Sequence, residues 1–232
     1  MSGGRIFADC RLPSGMKTEL EKLGFVVEGV QSNPALSEAI ASHPDMNILT
    51  LCGKRFTTSE TFVRKNRGDV LIEQGSERLS YPKEASLNAV CIGNDFICCS
   101  KSIDKAVLHY AEQCKLHTVF VQQGYVKCNL VVVSEKDKAV ITEDCGIAKV
   151  LASEGYTVLK LNTYAVGLAP YAHGFIGGAA GTLGHIIAFT GNIRQHPEYG
   201  RILTFCSRYG KEVVSLGNEP LYDYGSLLSA DC

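Results

Sequence analysis

Short apolar stretches separated by polar turns recur along the chain at nearly constant intervals. Asn129-Leu130-Val131-Val132-Val133 is followed, 26 positions after Asn129, by Gly155, which opens a second apolar stretch. Gly184 and Gly210 begin a similar pair, again 26 positions apart. Strand starts are predicted at about 5, 47, 88, 129, 184 and 225, a spacing of 41 or 42 residues except for one interval of 55. Such self-similarity indicates an internal repeat, which sets the fold before individual elements are considered.

Within each repeat, the pattern predicts a strand, a polar turn, a second strand, a helix and a third strand. Apolar residues at helical spacing predict helices near 16–23 and 103–114, capped by Ser102 in the second case, and also near 147–151 and 199–209. Gly24 is placed to end the first helix. Shorter helices are predicted for 35–41 and for 59–65, the latter with Ser59 as N-cap.

Five repeats and a closing strand account for the whole chain as one domain, 1–232. The predicted units are about 5–46, 47–87, 88–128, 129–183 and 184–232. A ring of five units lets each helix pack outside its neighbours, and the C-terminal strand completes the unit begun at the N-terminus, so that no sheet edge is exposed. The alternative is an open mixed α/β sheet built from the same strands.

Composition excludes several classes of function. Charged residues make up 20% of the chain and the formal net charge is −1, so nothing in the overall balance indicates a nucleic-acid partner or an anionic membrane surface. No apolar run approaches the roughly 20 residues of a membrane span, and the N-terminus lacks the apolar core of a signal peptide. The expected location is cytoplasmic, and the oligomeric state is left open.

Ten cysteines are present, and without a secretion signal they are expected to be reduced thiols that serve mainly as small core residues. No C-x-x-C pair occurs, so neither a zinc nor an iron–sulfur site is expected. The glycine-rich stretch 174–181 lacks the lysine and hydroxyl of a Walker motif, which argues against nucleotide binding. No cofactor or metal is predicted.

Two histidines stand where chemistry is plausible. His43-Pro44-Asp45 comes just before a buried strand, where its side chains could reach a central channel; the alternative is a turn in which the aspartate bonds its own backbone. His173 lies in a Gly- and Ala-rich insertion of about 14 residues relative to the repeat. Glycines permit close ligand approach, or they let the chain pass a crowded axis. His185 is interpreted as structural.

Cys128 is the best-placed internal nucleophile, because a neighbouring cation such as Lys127 lowers the pKa of a thiol. Inert packing in a buried strand is the alternative. Asp223, together with Glu219, precedes the closing strand and could bind a cationic group; these residues could also be solvated turn carboxylates.

The repeat, together with the segments His-Pro-Asp-Met, His-Gly-Phe-Ile-Gly-Gly and Phe-Thr-Gly-Asn, resembles the pentein superfamily, and most of all a compact bacterial branch of it without an assigned activity. Penteins are five-fold pseudo-symmetric α/β propellers of strand-strand-helix-strand units, and they include arginine deiminase, agmatine deiminase, dimethylarginine dimethylaminohydrolase and the amidinotransferases. The resemblance implies a central pocket for a cationic small molecule and a hydrolase or transferase reaction at a guanidino or amidino carbon. It also implies a thiolate nucleophile, a histidine that moves protons and carboxylates that hold the cation.

Carried onto this chain, the resemblance assigns catalysis to four residues and ligand binding to six. The candidates for catalysis are His43, His173, Cys128 and Cys232, and those for substrate binding are Asp45, Asn47, Asn129, Gly177, Gly178 and Asp223. The closing strand departs from the family pattern, since it reads Gly225-Ser226-Leu227-Leu228-Ser229 where the motif has cysteine. The alternative function is therefore a non-catalytic binding module, as in the ribosome-associated initiation-factor members of this fold.

Overall fold

A computed structural model describes residues 4–58, 68–74 and 78–230 of the chain. The helix predicted for 59–65, its N-cap Ser59 and the candidate nucleophile Cys232 lie outside the described residues.

The described residues form five three-stranded sheets, which confirms the mixed α/β class and the number of repeats. The strand orders are β15-β1-β2, β3-β4-β5, β6-β7-β8, β9-β10-β11 and β12-β13-β14. In each sheet the middle strand pairs antiparallel with one neighbour and parallel with the other. The strands are β1 (Arg5–Asp9), β2 (Val26–Val30), β3 (Ile48–Leu51), β4 (Lys54–Thr57), β5 (Val70–Leu71), β6 (Val90–Ile92), β7 (Asp95–Cys98), β8 (His117–Phe120), β9 (Val131–Ser134), β10 (Ala139–Thr142), β11 (Thr157–Lys160), β12 (Ala180–Leu183), β13 (Ile186–Phe189), β14 (Glu212–Ser215) and β15 (Leu228–Ser229).

Among the described residues, four α-helices occupy the crossover between a middle strand and its parallel partner, and two single-turn α-helices precede strands β3 and β9. They are α1 (Ser14–Lys22), α2 (Pro44–Asn47), α3 (Lys105–Gln113), α4 (Val126–Asn129), α5 (Cys145–Ser153) and α6 (Tyr199–Arg208). The N-cap of α3 is Asp104, whose side chain accepts from the amide of Ala106 at 2.7 Å, rather than the predicted Ser102. A carboxylate at this position also meets the positive end of the helix dipole.

At two places, a strand that was predicted to be the first of its unit is instead the middle strand of its sheet. The stretch His185–Phe189, predicted as the first strand of its unit, contains β13, which is the middle strand of a sheet whose first strand is β12. Strand β12 contains Ala180 and Gly181 and is a weak strand signal in the sequence, whereas β13 is buried at every position. Strand β1 is likewise a middle strand.

The closing strand completes the first sheet, as predicted. Strand β15 pairs antiparallel with β1, with Ile6 opposite Ser229 and Phe7 opposite Leu228. The two ends of the described chain therefore share one sheet.

The prediction of a short helix at 35–41 is wrong, because this segment forms successive turns. The Asn33 side chain accepts from the amide of Ala35 at 3.0 Å, and the amide of Asn33 donates to the Ala41 carbonyl at 2.9 Å. An asparagine that bonds the backbone two residues ahead forms an Asx-turn, which closes this segment into a compact loop.

Apolar clusters join each sheet to the next one along the chain. Residues of β3 and β4 pack with β7 and α3, those of β6 to β8 pack with β10 and α5, and those of β9 and β10 pack with β12, β13 and α6. Strands β12 and β13 pack in turn with β1 and α1, and Phe7 and Val30 pack with Ile48 of β3. The loops that enter the first strands consequently converge, and they carry most of the predicted site residues.

Candidate functional site

The loops before the first strands enclose a cavity of about 280 Å³, which we call the aromatic cavity. Its lining residues are Ile40, His43, Met46, Tyr125, Cys128, Leu168, Tyr171, Ala172, His173, Phe175 and Asp223. Four of the predicted site residues, His43, Cys128, His173 and Asp223, are thus brought together from segments far apart in sequence.

The His43 ring lies between two buried carboxylates. Its Nε2 is 3.9 Å from Asp9 Oδ2 and its Nδ1 is 3.7 Å from Asp223 Oδ1, and the side chain is 1% exposed. Both distances exceed hydrogen-bonding range, and Nε2 has no hydrogen-bond partner among the described residues. The His43 ring therefore faces two carboxylates without a hydrogen bond to either.

Asp9 is held by a bidentate pair with Arg11. Arg11 Nε donates to Oδ1 at 2.9 Å and Nη2 donates to Oδ2 at 2.6 Å. This hydrogen bonding to Asp9 raises the pKa of Arg11 above its ordinary value. The guanidinium also donates to the carbonyls of Glu38 and Ala39, at 2.7 and 2.9 Å, and so fixes the loop that leads to His43. Because Asp9 is balanced in this way, Asp223 is the carboxylate left to interact with His43 or a ligand.

Asp223 is oriented by two backbone amides. Its Oδ1 accepts from Gly225 at 2.9 Å and its Oδ2 accepts from Phe175 at 3.0 Å. Burial raises the pKa of Asp223 above its ordinary value, and the charge of His43 opposes that effect. Gly178 makes room for this carboxyl, since a Cβ at Gly178 would lie 2.1 Å from Asp223 Oδ1.

Cys128 lines the cavity and is the last residue in a chain of polar contacts that also includes Asp45, Ser226 and Lys127. Its Sγ donates to Asp45 Oδ2 at 3.2 Å, Ser226 Oγ donates to the same oxygen at 2.6 Å, and Lys127 Nζ donates to Ser226 Oγ at 3.1 Å. The sequence prediction that Lys127 lowers the pKa of Cys128 is wrong. Burial, together with the charges of Asp45 and Asp223, raises the pKa of the Cys128 thiol well above its ordinary value.

Lys127 is linked to Asp45 through Ser226, since Lys127 Nζ donates to Ser226 Oγ and Ser226 Oγ donates to Asp45 Oδ2. Burial lowers the pKa of Lys127 below its ordinary value, and the charge of Asp45 is the largest effect that opposes the decrease. Asp9 forms an ion pair with Arg11, whereas no lysine or arginine among the described residues forms one with Asp223.

Asn88 contacts Cys128 and was not among the site residues predicted from the sequence. Its Nδ2 donates to Cys128 Sγ at 3.0 Å and to the Asp45 carbonyl at 3.1 Å, and its Oδ1 accepts from the amide of Lys127 at 2.7 Å. A donor aimed at sulfur favours the thiolate. The signal was present in the repeat, since Asn47, Asn88 and Asn129 follow one another at intervals of 41.

The other two asparagines lie behind the cavity wall, where they hold turns. Asn47 donates to the carbonyls of Ala41 and His43 at 3.0 and 2.9 Å, and Asn129 donates to the Tyr125 carbonyl at 2.8 Å. Both side chains are fully buried. Their placement fixes the backbone at His43 and Tyr125, while direct ligand contact by either asparagine stays a prediction.

His173 lies at the mouth of the cavity within an aromatic row. Its ring stacks on Tyr164 at a centroid distance of 4.3 Å and meets the edge of Phe175 at 5.6 Å. On the same loop Tyr171 shares a hydrogen bond of 3.0 Å with Ser37, which spans the mouth. His173 is therefore a wall residue on a different loop from the buried His43.

Gly177 allows this loop to cross α4. A Cβ at Gly177 would lie 2.5 Å from the Lys127 carbonyl oxygen, and its own carbonyl accepts from Ser226 Oγ at 2.9 Å. Neither Gly177 nor Gly178 lines the cavity, so their predicted contact with a ligand stays a prediction. No group of three or more potential metal ligands occurs within the described part of the chain.

Glu143 is a second residue absent from the sequence prediction. It is 1% exposed, its Oε2 accepts from the amide of Ile176 at 2.9 Å, and its Oε1 has no partner among the described residues. Burial raises the pKa of Glu143 to about 7. A buried carboxyl thus stands behind the loop that carries His173.

Replacing Glu143 with glutamine is expected to remove a pH dependence of folding. The folded state binds more protons than the unfolded state between the ordinary pKa of 4.5 and the folded pKa of about 7, so the free energy of unfolding falls as pH rises through that window. The decrease is about 3 kcal/mol for one group. Glutamine keeps the acceptor for the amide of Ile176. Because it does not titrate, the free energy of unfolding of Glu143→Gln, measured in urea, should fall by that much less across the same pH window. The exposed control Glu212→Gln should follow the wild type, and an unchanged slope for Glu143→Gln would contradict the assignment.

Comparison with known proteins gives the family and the fold. Residues 7–228 match the model of DUF6873, a family of unknown function. The chain belongs to this family. No curated protein matches it. No helix within the described residues is long and apolar enough to cross a membrane.

Solved structures similar to this DUF6873 member include a dimethylarginine dimethylaminohydrolase and an amidinotransferase. Dimethylarginine dimethylaminohydrolase in an adduct with S-methyl-L-thiocitrulline has a TM-score of 0.57 and 11% sequence identity. Its adduct with 4-chloro-2-hydroxymethylpyridine has a TM-score of 0.52 and 13% sequence identity. Each match covers 92% of both chains. SxtG, an amidinotransferase of the saxitoxin pathway from Microseira wollei, has 0.54 at 8% identity over 92% of this chain and 88% of its own. The chain therefore has the pentein fold, as its sequence predicted.

Proposed function

We propose that the protein is an enzyme that cleaves or transfers at a guanidino or amidino carbon, with the aromatic cavity as its active site. In this proposal the five sheets close into a propeller forming one domain, 1–232, with the cavity at one end of its axis. The observation that carries the proposal is the arrangement at the base of the cavity, where the thiol of Cys128 contacts Asp45 and the imidazole of His43 faces Asp223.

The charge of the site suits a cation. Arg11 forms an ion pair with Asp9, whereas no lysine or arginine among the described residues forms one with Asp223. A guanidinium or amidinium placed against this carboxylate would favour its ionised form. Planar cations of this kind form paired hydrogen bonds with carboxylates, which orients their central carbon.

The bond changes follow from the contacts. The Cys128 thiol passes its proton to Asp45, and the sulfur forms a bond with the central carbon of the cation. The bond from that carbon to the leaving nitrogen breaks, and protonated His43 supplies the proton with which the amine departs. Water then cleaves the S–C bond in a hydrolase, or an acceptor amine does so in a transferase.

The raised pKa of Cys128 makes this reaction depend on the substrate. Burial and the charges of Asp45 and Asp223 keep the thiol protonated in the empty site. A cation beside these carboxylates offsets their charge, and a nearby opposite charge shifts a pKa by about 1 to 3 units. The thiolate therefore forms when a cationic ligand is in place.

Alkylation by matched reagents tests the proposal. The cationic 2-chloroacetamidine and the neutral 2-chloroacetamide are similar in size, and the thiolate displaces chloride from both. Peptide mapping by mass spectrometry should find Cys128 labelled about tenfold or more faster by the cation, relative to the exposed internal references Cys52 and Cys145. The preference should shrink in Asp45→Asn. Equal labelling by the two reagents, or none at Cys128, would overturn the chemical role of this thiol.

A non-catalytic binding module is the second candidate. It is favoured by the closing strand, where Ser226 has a φ of 67° and is engaged with Asp45, Lys127 and Gly177 in place of the family cysteine. Binding of a cation that protects the protein from unfolding, without modification of Cys128, would support this second function.

A further inference from the structure

We infer that the ligand is a cationic head on an apolar body, an alkylguanidine or aryl amidine, rather than a guanidino amino acid. This inference rests on the proposed cation site and concerns the part of the ligand beyond the cation. It comes from the chemistry of the cavity wall between the base and the mouth.

The wall is apolar and aromatic from base to mouth. Ile40, Met46 and Leu168 lie on one part of it. The aromatic part of the wall is continuous, since the ring of Tyr125 lies 6.0 Å from that of Phe175, and Phe175 lies 5.6 Å from His173. Contact with such a wall stabilises a ligand by about 25 cal/mol per Å² of apolar surface removed from water. A hydrocarbon chain or ring between the cation and the mouth fits this surface.

The polar groups in the wall are already engaged. The hydroxyl of Tyr125 donates to Glu84, and that of Tyr171 shares its hydrogen bond with Ser37. His173 Nδ1 is 2.9 Å from the carbonyl oxygen of Gly174, which is an acceptor, so the proton lies on Nδ1 and Nε2 is left as an acceptor. The hydroxyl of Tyr125 and the Nδ1–H group of His173 are thus already used as donors, and the neutral Tyr171–Ser37 pair offers no charge to balance a carboxylate.

A second charge on the ligand would therefore be buried at a cost. Among the described residues that line the cavity, none is lysine or arginine, and the charged side chain at its base is Asp223. A ligand carboxylate would lose its water without gaining a counter-ion, and it would be repelled by Asp223. Burying an unpaired charge is among the most expensive events in recognition, and a substrate that imposes it is rejected.

A series on one four-carbon chain isolates this effect. Butylguanidine carries the guanidinium alone, agmatine adds a terminal ammonium, and arginine adds both an ammonium and a carboxylate. Isothermal titration calorimetry at fixed pH and salt should give the highest affinity for butylguanidine, about tenfold lower affinity for agmatine, and a further decrease of at least about tenfold for arginine.

The outcomes separate the inference from the function on which it rests. Arginine binding as tightly as butylguanidine would overturn the inference and leave the cation site standing, whereas a folded protein that binds none of the three would overturn the cation site itself. The variant Ala172→Arg adds a cation at an exposed lining position without disturbing the core. It should raise the affinity for arginine relative to butylguanidine by about fivefold or more, and an unchanged ratio would show that charge in the wall does not set the preference.

Discussion

Replacing Gly178 with alanine is expected to lower the free energy of unfolding by more than about 4 kcal/mol, a large part of the stability of a domain of this size. The added Cβ would lie 2.1 Å from Asp223 Oδ1 and 2.3 Å from its Cγ, well inside van der Waals contact. Asp223 cannot simply retreat, because the amides of Phe175 and Gly225 hold its two oxygens. Urea unfolding followed by circular dichroism measures the loss.

Two further variants show whether the clash with Asp223 is the cause. Gly200→Ala lies in α6 with nothing within 4 Å of the new Cβ, and it should be neutral or stabilise by up to about 1 kcal/mol. Shortening the carboxylate in the double variant Gly178→Ala/Asp223→Ala should recover much of the loss, because residues in contact are not additive. A cost below about 1 kcal/mol for Gly178→Ala alone would mean that the carboxyl is not packed against this glycine.

Replacing Asp223 with asparagine is expected to weaken binding of a guanidinium or amidinium ligand by at least about thirtyfold. The change removes the carboxylate that lines the cavity, and losing one partner of a buried charge pair typically costs 2 to 5 kcal/mol. Asparagine keeps an acceptor for the amide of Phe175 and nearly the same volume. The matched control is Glu219→Gln, which alters an exposed turn carboxylate near the same strand and should bind as the wild type does.

The pH dependence of this binding has a definite sign. Burial raises the pKa of Asp223, so the carboxyl carries a proton at lower pH and must lose it before it can pair with a cation. Affinity should therefore rise as pH increases through the titration of Asp223 and then become constant, with protons released on binding. Asp223→Asn should lose the component due to the carboxyl.

The repeat in the sequence was sufficient to predict five α/β units and the closing of the first sheet by the C-terminal strand, because strongly apolar strands recur at a fixed interval. The repeat was insufficient to predict which strand lies in the middle of each sheet, as β1 and β13 show. Strand β12 is marked by Ala180 and Gly181, and its strand character comes from packing rather than from propensity. The turns at 35–41 were predicted as a helix for a related reason. The apolar spacing there is only moderately helical, and the hydrogen bond that the Asn33 side chain accepts from the amide of Ala35 favours a turn instead.

The site residues were partly predictable, because His, Cys and Asp just before buried strands converge in a repeat of this kind. Their partners were not. Ser226 contacts Asp45 across 181 positions of sequence, and Asn88 contacts Cys128 across 40. The direction of the pKa shift at Cys128 illustrates the limit. The adjacent Lys127 suggested a lowered value, but burial and two carboxylates from distant segments decide the matter.

Calorimetric titration with butylguanidine, repeated in buffers of different ionisation enthalpy, is the most direct test that the base of the aromatic cavity is a cation site. We expect one ligand per chain, with net proton release at a pH where Asp223 is partly protonated, and affinity at least about thirtyfold weaker in Asp223→Asn. Absence of binding by the folded protein, or binding that neither releases protons nor changes in Asp223→Asn, would contradict the proposed site.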